Sequence, residues 1–504
     1  MTGLARLVAA GCFGASVLAC NTVLSLGDYH ELKVCARNSE CIAANAGKPA
    51  ICRKNDHICV SLINDDCPNV SGPVDDDNAI VIGTLFTLKG TNKSSGVART
   101  QSVELALGEI TQTIVGLPGG VAGAPRPLVA LECDDSSDVT VATRAAKHLR
   151  DVGVPAIIGP GGSGIVAAVA QSVTIPSGIF LISPSATSAT LSGLDPLVWR
   201  TAPSDVVQAV ELQHQVGELA KIVTGPKVKL AVVYQDNPYG NGLLTALSAG
   251  LTLNGAPVGD PSNGGLYAPK AYDATKLDPS AAVAQILAEP RPQIIALFGT
   301  AEIITKFIAP LEAGWLAGDG GAGAPRPQYL LADAGKRQEL LDLLKGNEDL
   351  RKRVRGTVPG TAGANYQAFS LGYQGKFSQT PGVFGMAGAY DSTYMMAYAI
   401  GAIGAQAITG GAIAAQMPKL VKGTKTAVGP GALSPTMKTM TSTGTIDIDG
   451  ASGPLDFDLN QHEAPSDIDV WCVTLQTGVE AFTSSGSYYD SATKTPVDAF
   501  TKCQ

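Results

Sequence analysis

Ala79-Ile80-Val81-Ile82-Gly83 reads as a β-strand buried on both faces, with three β-branched residues in a row and no polar alternation. A helical stretch follows, with Val103, Ala106, Leu107 and Ile110 on one face. The alternation then repeats, predicting a strand over 128–132, a helix over about 139–152, a strand over 155–159, a helix over 163–173 and a strand over 179–183. After a helix over about 206–223, a second series is predicted: strand 229–234, helix 241–253, strand 293–298, helix 303–316 and strand 328–332. Short apolar strands separated by helices bury both faces in parallel sheets covered by helices, so the fold class is α/β with two Rossmann-like lobes. The segments 122–127 and 322–327 both read Ala-Gly-Ala-Pro-Arg-Pro and both lead into a strand. Duplicated lobes account for this echo, as would coincidence between two Ala/Gly/Pro-rich loops.

Upstream of this body the chain changes character. A start containing Arg6 is followed by an apolar run over 7–19, too short to span a bilayer as a mature helix, so residues 1–19 read as a signal peptide. The run ends in Val17-Leu18-Ala19-Cys20, which is similar to a bacterial lipobox and implies acylation of Cys20, with Leu18 a less common choice at its position. An ordinary secretory peptide with a nearby cysteine is the alternative. The expected protein is periplasmic or cell-surface and held to the membrane by lipid alone. Residues 20–77 lack a sustained period, carry Cys35, Cys41, Cys52, Cys59 and Cys67, and end in the polar linker Pro73-Val74-Asp75-Asp76-Asp77. They read as a disulfide-stapled spacer, either a stiff stalk or a partner-binding knob.

Of ten cysteines, Cys12 lies in the signal and Cys20 would carry lipid; with Cys133, Cys472 and Cys503 an even set of eight remains, which in an exported chain implies disulfides, although spacing does not choose among their pairings. The expectation pairs the first four within their own segment, Cys67 with Cys133, and Cys472 with Cys503. No C-x-x-C pair exists and the five histidines are scattered, so no metal is expected. Lys plus Arg total 36 against 44 Asp plus Glu without a basic run, which argues against a nucleic-acid partner.

The strand-loop pieces carry a resemblance. In order they are Ile80-Val81-Ile82-Gly83-Thr84 with the loop from Gly90 to Gly96, Leu131-Glu132-Cys133-Asp134-Asp135, Ile158-Gly159-Pro160, and Ile182-Ser183-Pro184-Ser185-Ala186-Thr187. There follow Trp199-Arg200-Thr201-Ala202-Pro203-Ser204-Asp205, Tyr239-Gly240-Asn241-Gly242, Ala389-Tyr390-Asp391 and Gly453-Pro454-Leu455-Asp456-Phe457-Asp458. Over roughly 79–475 this series resembles the leucine/isoleucine/valine-binding family of periplasmic solute receptors, with the periplasmic-binding-protein-like I fold. The resemblance implies two lobes joined by three crossings, placed near 202–205, 358–361 and 445–453. Lobe one then takes 78–204 and 360–445, and lobe two takes 205–359 and 446–504.

In an open parallel sheet, the loops at the carboxyl ends of the strands converge on the crevice and present helix N-termini to it, which favour carboxylates. Gly161-Gly162-Ser163 lets backbone approach a ligand, and Ser185 and Thr187 follow a strand. By the resemblance, Ser163, Ser185 and Thr187, with the Gly162 backbone, hold the α-carboxylate and α-ammonium of an amino acid; taken alone, such residues are ordinary helix N-caps. The resemblance also puts Tyr239 over the ligand backbone and makes Asp333 the partner of the ammonium; a helix cap is the alternative for Asp333. The sequence departs from the family pattern at Ser95 and at Thr300-Ala301, where aromatic residues are expected. Tyr390 and Phe298 are left to line the side-chain pocket.

An enzyme is not expected. Gly161-Gly162-Ser163-Gly164-Ile165 lacks the final glycine of a nucleophile elbow, and no phosphate loop of the G-x-x-x-x-G-K-[ST] type occurs. His30, His57, His148, His214 and His462 all fall away from strand ends, so no base stands ready for a nucleophile, and no cofactor is implied. The expected function is capture of an amino acid or similar small polar solute for an ABC permease, with a sensory or partner-binding lipoprotein as the alternative.

Overall fold

In the computed structural model the described residues are 34–503, apart from 277, 289, 319–324 and 361–362. The proposed signal peptide and Cys20, the proposed site of acylation, lie outside them. Two α/β lobes account for most of the chain. The first sheet runs, in spatial order, Leu128–Asp134, Ile80–Phe86, Ala156–Ile158, Phe180–Ser183 and Val198–Arg200, all parallel. The second begins with Tyr267–Tyr272, Leu230–Gln235, Ile294–Phe298, Gln328–Leu331 and Val354–Pro359, again parallel. Counted along the chain within each lobe, both follow the order 2-1-3-4-5. The strands Val198–Arg200, Tyr267–Tyr272 and Val354–Pro359 complete the parallel part of sheets whose other parallel strands the sequence predicts.

The strand Ile80–Phe86 is buried at every position because both faces are covered. Ile80, Ile82 and Phe86 point into one core with helix Lys93–Ile114 and helix Met386–Ile403. Val81 and Leu85 point into the other, with helix Val139–Val152. That period of two, apolar on both phases, leaves no solvent face. The helix Val139–Val152 starts and stops where its sequence says: Asp138 accepts from Thr140 N and Val141 N, and Gly153 closes it at φ 91°.

Three segments connect the lobes. Residues 201–204 run from the first sheet into helix Asp205–Ile222, which packs on the second lobe. After strand Val354–Pro359 the chain is next described in helix Ala364–Phe377, which packs on helix Lys93–Ile114 of the first lobe. The third crossing follows Ala464. The stretch 446–464, which the sequence reading gives to lobe two, contributes Ile446, Ile448, Leu455, Phe457 and Ala464 to the first lobe's core. The chain then enters the second sheet as Ile468–Gln476, antiparallel to Val354–Pro359, and turns back as Val479–Asp490. This lobe's sheet is therefore mixed, with Cys472–Cys503 fastening the tail to the added hairpin.

The cysteine-rich segment has structure that its lack of period hides. Helix Asn38–Ala44 lies on the hairpin Ala50–Arg53 and Ile58–Ser61, stapled by Cys35–Cys52 and Cys41–Cys59. Strand Asn69–Ser71 joins the edge of the first sheet antiparallel to Leu128–Asp134, Cys67 is bonded to Cys133, and Arg144 forks onto Asp66. Leu62 and Cys67 are fully buried in the first lobe's core. Among the described residues, no helix is long and apolar enough to cross a membrane.

Candidate ligand-binding cleft

The order 2-1-3-4-5 reverses direction beside the first strand of each lobe, and loops at such a reversal splay apart to leave a crevice. Here the loops that follow four strands of each lobe face one another around a cavity of about 490 Å³. From lobe one, Thr87, Ser137, Gly162 and Ser185 each follow a different strand. From lobe two, Asn237, Asp273, Thr300 and Asp333 do the same.

On the first wall, helix Ser163–Val169 begins at Gly162, which has no side chain to cap it. The Ser163 Oγ accepts from Thr187 N and Ser188 N, each at 3.2 Å, which leaves its own proton free to donate. The Ser185 hydroxyl donates to Gly161 O at 3.1 Å. Both serines are buried and both line the cavity.

The facing wall is built on helix Pro238–Gly250. Asn237 caps it by accepting from Gly240 N, and Pro238 sets its first turn, which places Tyr239 at the cleft. The Tyr239 hydroxyl donates to Asp333 Oδ1 at 2.8 Å. Oriented to satisfy its neighbours, the Gln208 amide donates to Asp333 Oδ1 (3.2 Å) and accepts from Thr357 Oγ1 and Asp333 N. Burial lifts the Asp333 carboxyl to about 6, against the pull of these hydrogen bonds. Behind it Asp205 is fully buried, and burial together with the charge of Asp333 pushes its pKa well up. Asp205 does not reach the cavity, and Asp333 is the buried carboxylate that lines it.

Cations complete the lining. Arg99 donates from Nε and Nη2 to the carbonyl of Phe384, at 3.1 and 2.8 Å. Its guanidinium is enclosed by protein but opens onto the cavity, and burial lowers it to about 10, still charged at neutral pH. Gly161 and Gly385 make room for it. A Cβ at either would come within 2.9 Å of an Arg99 nitrogen, and Gly385 also needs its φ of 88°. Arg337 forks onto Glu339 and reaches across to Asn92 Oδ1 at 3.0 Å, while Ser94 Oγ meets Glu339 Oε1 at 3.3 Å. These two bonds join the lobes at the mouth of the cleft. At its base, Ser188 Oγ donates to Pro238 O.

Of the residues the sequence singles out, Gly162, Ser163, Ser185, Tyr239 and Asp333 come together around the cavity. Thr187 lies one layer behind them, fully buried beside Asp205. Tyr390 is not with them: it donates to Glu109 and packs on Phe369 and Tyr394 in the first lobe's core. Phe298 is likewise buried in the second lobe's core. The sequence reading passes over Arg99, Lys336 and Arg337. A signal for Arg99 was present, since it stands four residues before Val103 and so falls on the buried stripe of its helix.

The family model described as periplasmic binding protein matches residues 79–474. No curated protein matches the chain. Among solved structures, a branched-chain amino acid transporter substrate-binding protein, LivJ, from Streptococcus pneumoniae in complex with isoleucine is similar in fold. It is 21% identical, with a TM-score of 0.58 over 81% of this chain and 99% of that one. A leucine-binding protein, LivK, from Thermotoga maritima is 18% identical, with a TM-score of 0.59 over 80% and 98%. A solute-binding protein of an ABC transporter from Rhodopseudomonas palustris, in complex with 3,4-dihydroxybenzoic acid, is 16% identical, with a TM-score of 0.60 over 82% and 98%. With two 2-1-3-4-5 lobes, three crossings and a cavity between facing loops, and with the family model matched over most of its length, the chain belongs to the periplasmic binding protein family.

Proposed function

We propose that the chain is an extracytoplasmic receptor that captures an amino acid between its lobes and delivers it to an ABC permease, tethered to the membrane through acylated Cys20. The observation that carries this reading is the buried Asp333 carboxylate. Tyr239 and Gln208 hold it at the cavity, opposite the hydroxyls of Ser163 and Ser185. A carboxylate on one wall suits an ammonium, and the free Ser163 hydroxyl proton with an uncapped helix start on the other suits a carboxylate. Ligands named for the similar structures include isoleucine and a benzoic acid, so the amine-binding wall is what distinguishes an amino acid from a simple acid here.

Calorimetric titration of the ligand-free protein with the common amino acids tests this. At least one is expected to bind, and Asp333→Ala is expected to abolish that binding. Binding of no amino acid, or unchanged affinity in the variant, would overturn the reading. Acylation is tested separately by fractionation, with Cys20→Ala expected to move the protein out of the membrane fraction.

A further inference from the structure

Beside the cleft lies a second cavity of about 310 Å³, and Lys336, Val383 and Phe384 line both. That volume falls in the range of small-molecule sites, about 300–1,000 Å³. All three crossings border it, with Ala202 and Pro203 at the first, Pro359 and Gly360 at the second and Ser466 at the third. Its wall is largely apolar and includes Pro203, Val358, Phe384 and Phe482. Three polar groups interrupt that wall. The Thr201 hydroxyl is buried and has no hydrogen-bond partner. The Lys336 ammonium stands 5.8 Å from the centre of the Phe482 ring and, among the described residues, makes no hydrogen bond and no ion pair within 4 Å. The buried Asp469 accepts from Ser484 Oγ at 2.6 Å through Oδ1 and keeps further acceptor capacity. Lys336 and Asp469 act on each other through space, and the exposed Lys502 adds a weaker pull on Asp469. The pair thus balances in charge and leaves a gap with a donor on one side and an acceptor on the other.

We propose that this hinge cavity is a second site, for a small uncharged solute with an apolar body and a primary carboxamide, and that its occupancy favours the closed lobes. The amide carbonyl accepts from Lys336, the amide N–H donates to Asp469, and the apolar body lies against Pro203, Val358 and Phe482. A simple carboxylate would meet Asp469, and a simple amine would meet Lys336, both as like charges. A zwitterion would match both groups but would give up the hydration of two charges to an apolar enclosure. The occupant touches every segment that turns when the lobes part, so its binding and the opening of the cleft are coupled, each affecting the other by the same factor.

The test is isothermal titration of the ligand-stripped full chain with benzamide, benzoate and phenylalanine, repeated with Asp469→Asn, Thr201→Val and Asp333→Ala. Benzamide is expected to bind at least about tenfold more tightly than benzoate, with Asp469→Asn weakening it about tenfold and Asp333→Ala, in the cleft, leaving it unchanged. Thr201→Val should weaken benzamide about threefold yet raise the melting temperature of the free protein, because it removes a buried hydroxyl that lacks a partner. Small-angle scattering should show a smaller radius of gyration once benzamide is added. The proposal is overturned if benzamide does not bind, or if Asp333→Ala abolishes its binding while Asp469→Asn and Thr201→Val leave it intact. It is overturned equally if benzoate matches benzamide, if phenylalanine binds the Asp333→Ala variant as tightly as benzamide does, or if scattering is unchanged at saturation.

Discussion

The Tyr239 hydroxyl and the Asp333 carboxylate, 94 residues apart in sequence, meet at 2.8 Å inside the cleft. Neither faces bulk water. Tyr239 therefore aims one oxygen of Asp333 and leaves the other to a ligand. Removing the hydroxyl with Tyr239→Phe should weaken ligand binding about tenfold by calorimetry, the effect of one hydrogen bond to a charged group. Asp333→Asn, which removes the charge, should cost about 2–5 kcal/mol of binding.

On the proposed amino-acid reading, protonation of Asp333 should set the pH dependence of binding. Burial raises its carboxyl to about 6, and an ammonium bound beside it favours the ionised form. Binding is thus linked to proton release. Affinity should be flat above about pH 7 and fall toward about tenfold per pH unit below 6. Titrations in two buffers of different ionisation enthalpy should show protons released near pH 6, and Asp333→Asn should remove that release.

The bonds from Arg337 to Asn92 and from Ser94 to Glu339 act once the lobes have met. Arg337→Ala should mainly speed ligand release, by about tenfold, with little change in the association rate. Stopped-flow exchange of a bound ligand measures both rates.

The Cys67–Cys133 bond closes a 66-residue separation and pins the edge strand Asn69–Ser71. Replacing both cysteines with alanine should destabilise the first lobe by about 4 kcal/mol in a denaturant titration, with only a modest change in ligand affinity.

The central strands were legible because burial on both faces writes an unbroken apolar run, as in Ile80–Phe86. The edge strand Tyr267–Tyr272, half wet and interrupted by Pro269 and Lys270, has no such run. Helix Met386–Ile403 is buried on nearly every side, which erases the stripe that marks a helix in sequence. In the cleft, the strand-end loops with Ser163, Ser185 and Asp333 could be placed by position. Position also favoured Tyr390, but the residue beside it carries a visible structural role. Asp391 accepts from Ala451 N, Ser452 N and Ser452 Oγ and so braces the approach to the third crossing. Which of two adjacent helical residues faces a hinge depends on packing from 60 residues away, and local pattern does not record it. Arg99 was overlooked because a lone arginine on a helix is usually solvated; only the clearance at Gly161 and Gly385 shows where it goes.

The union of the cysteine-rich segment with the first lobe makes the two lobes mechanically unequal. A sheet strand, a disulfide and the Arg144–Asp66 fork rivet residues 66–71 to one side of the cleft, and none of these ties reaches the other. A load applied upstream of Val34 would therefore enter through lobe one as a stator, leaving lobe two as the arm that is free to swing. A permease docked on both lobes would sense the swing as displacement of a single arm against a fixed mount.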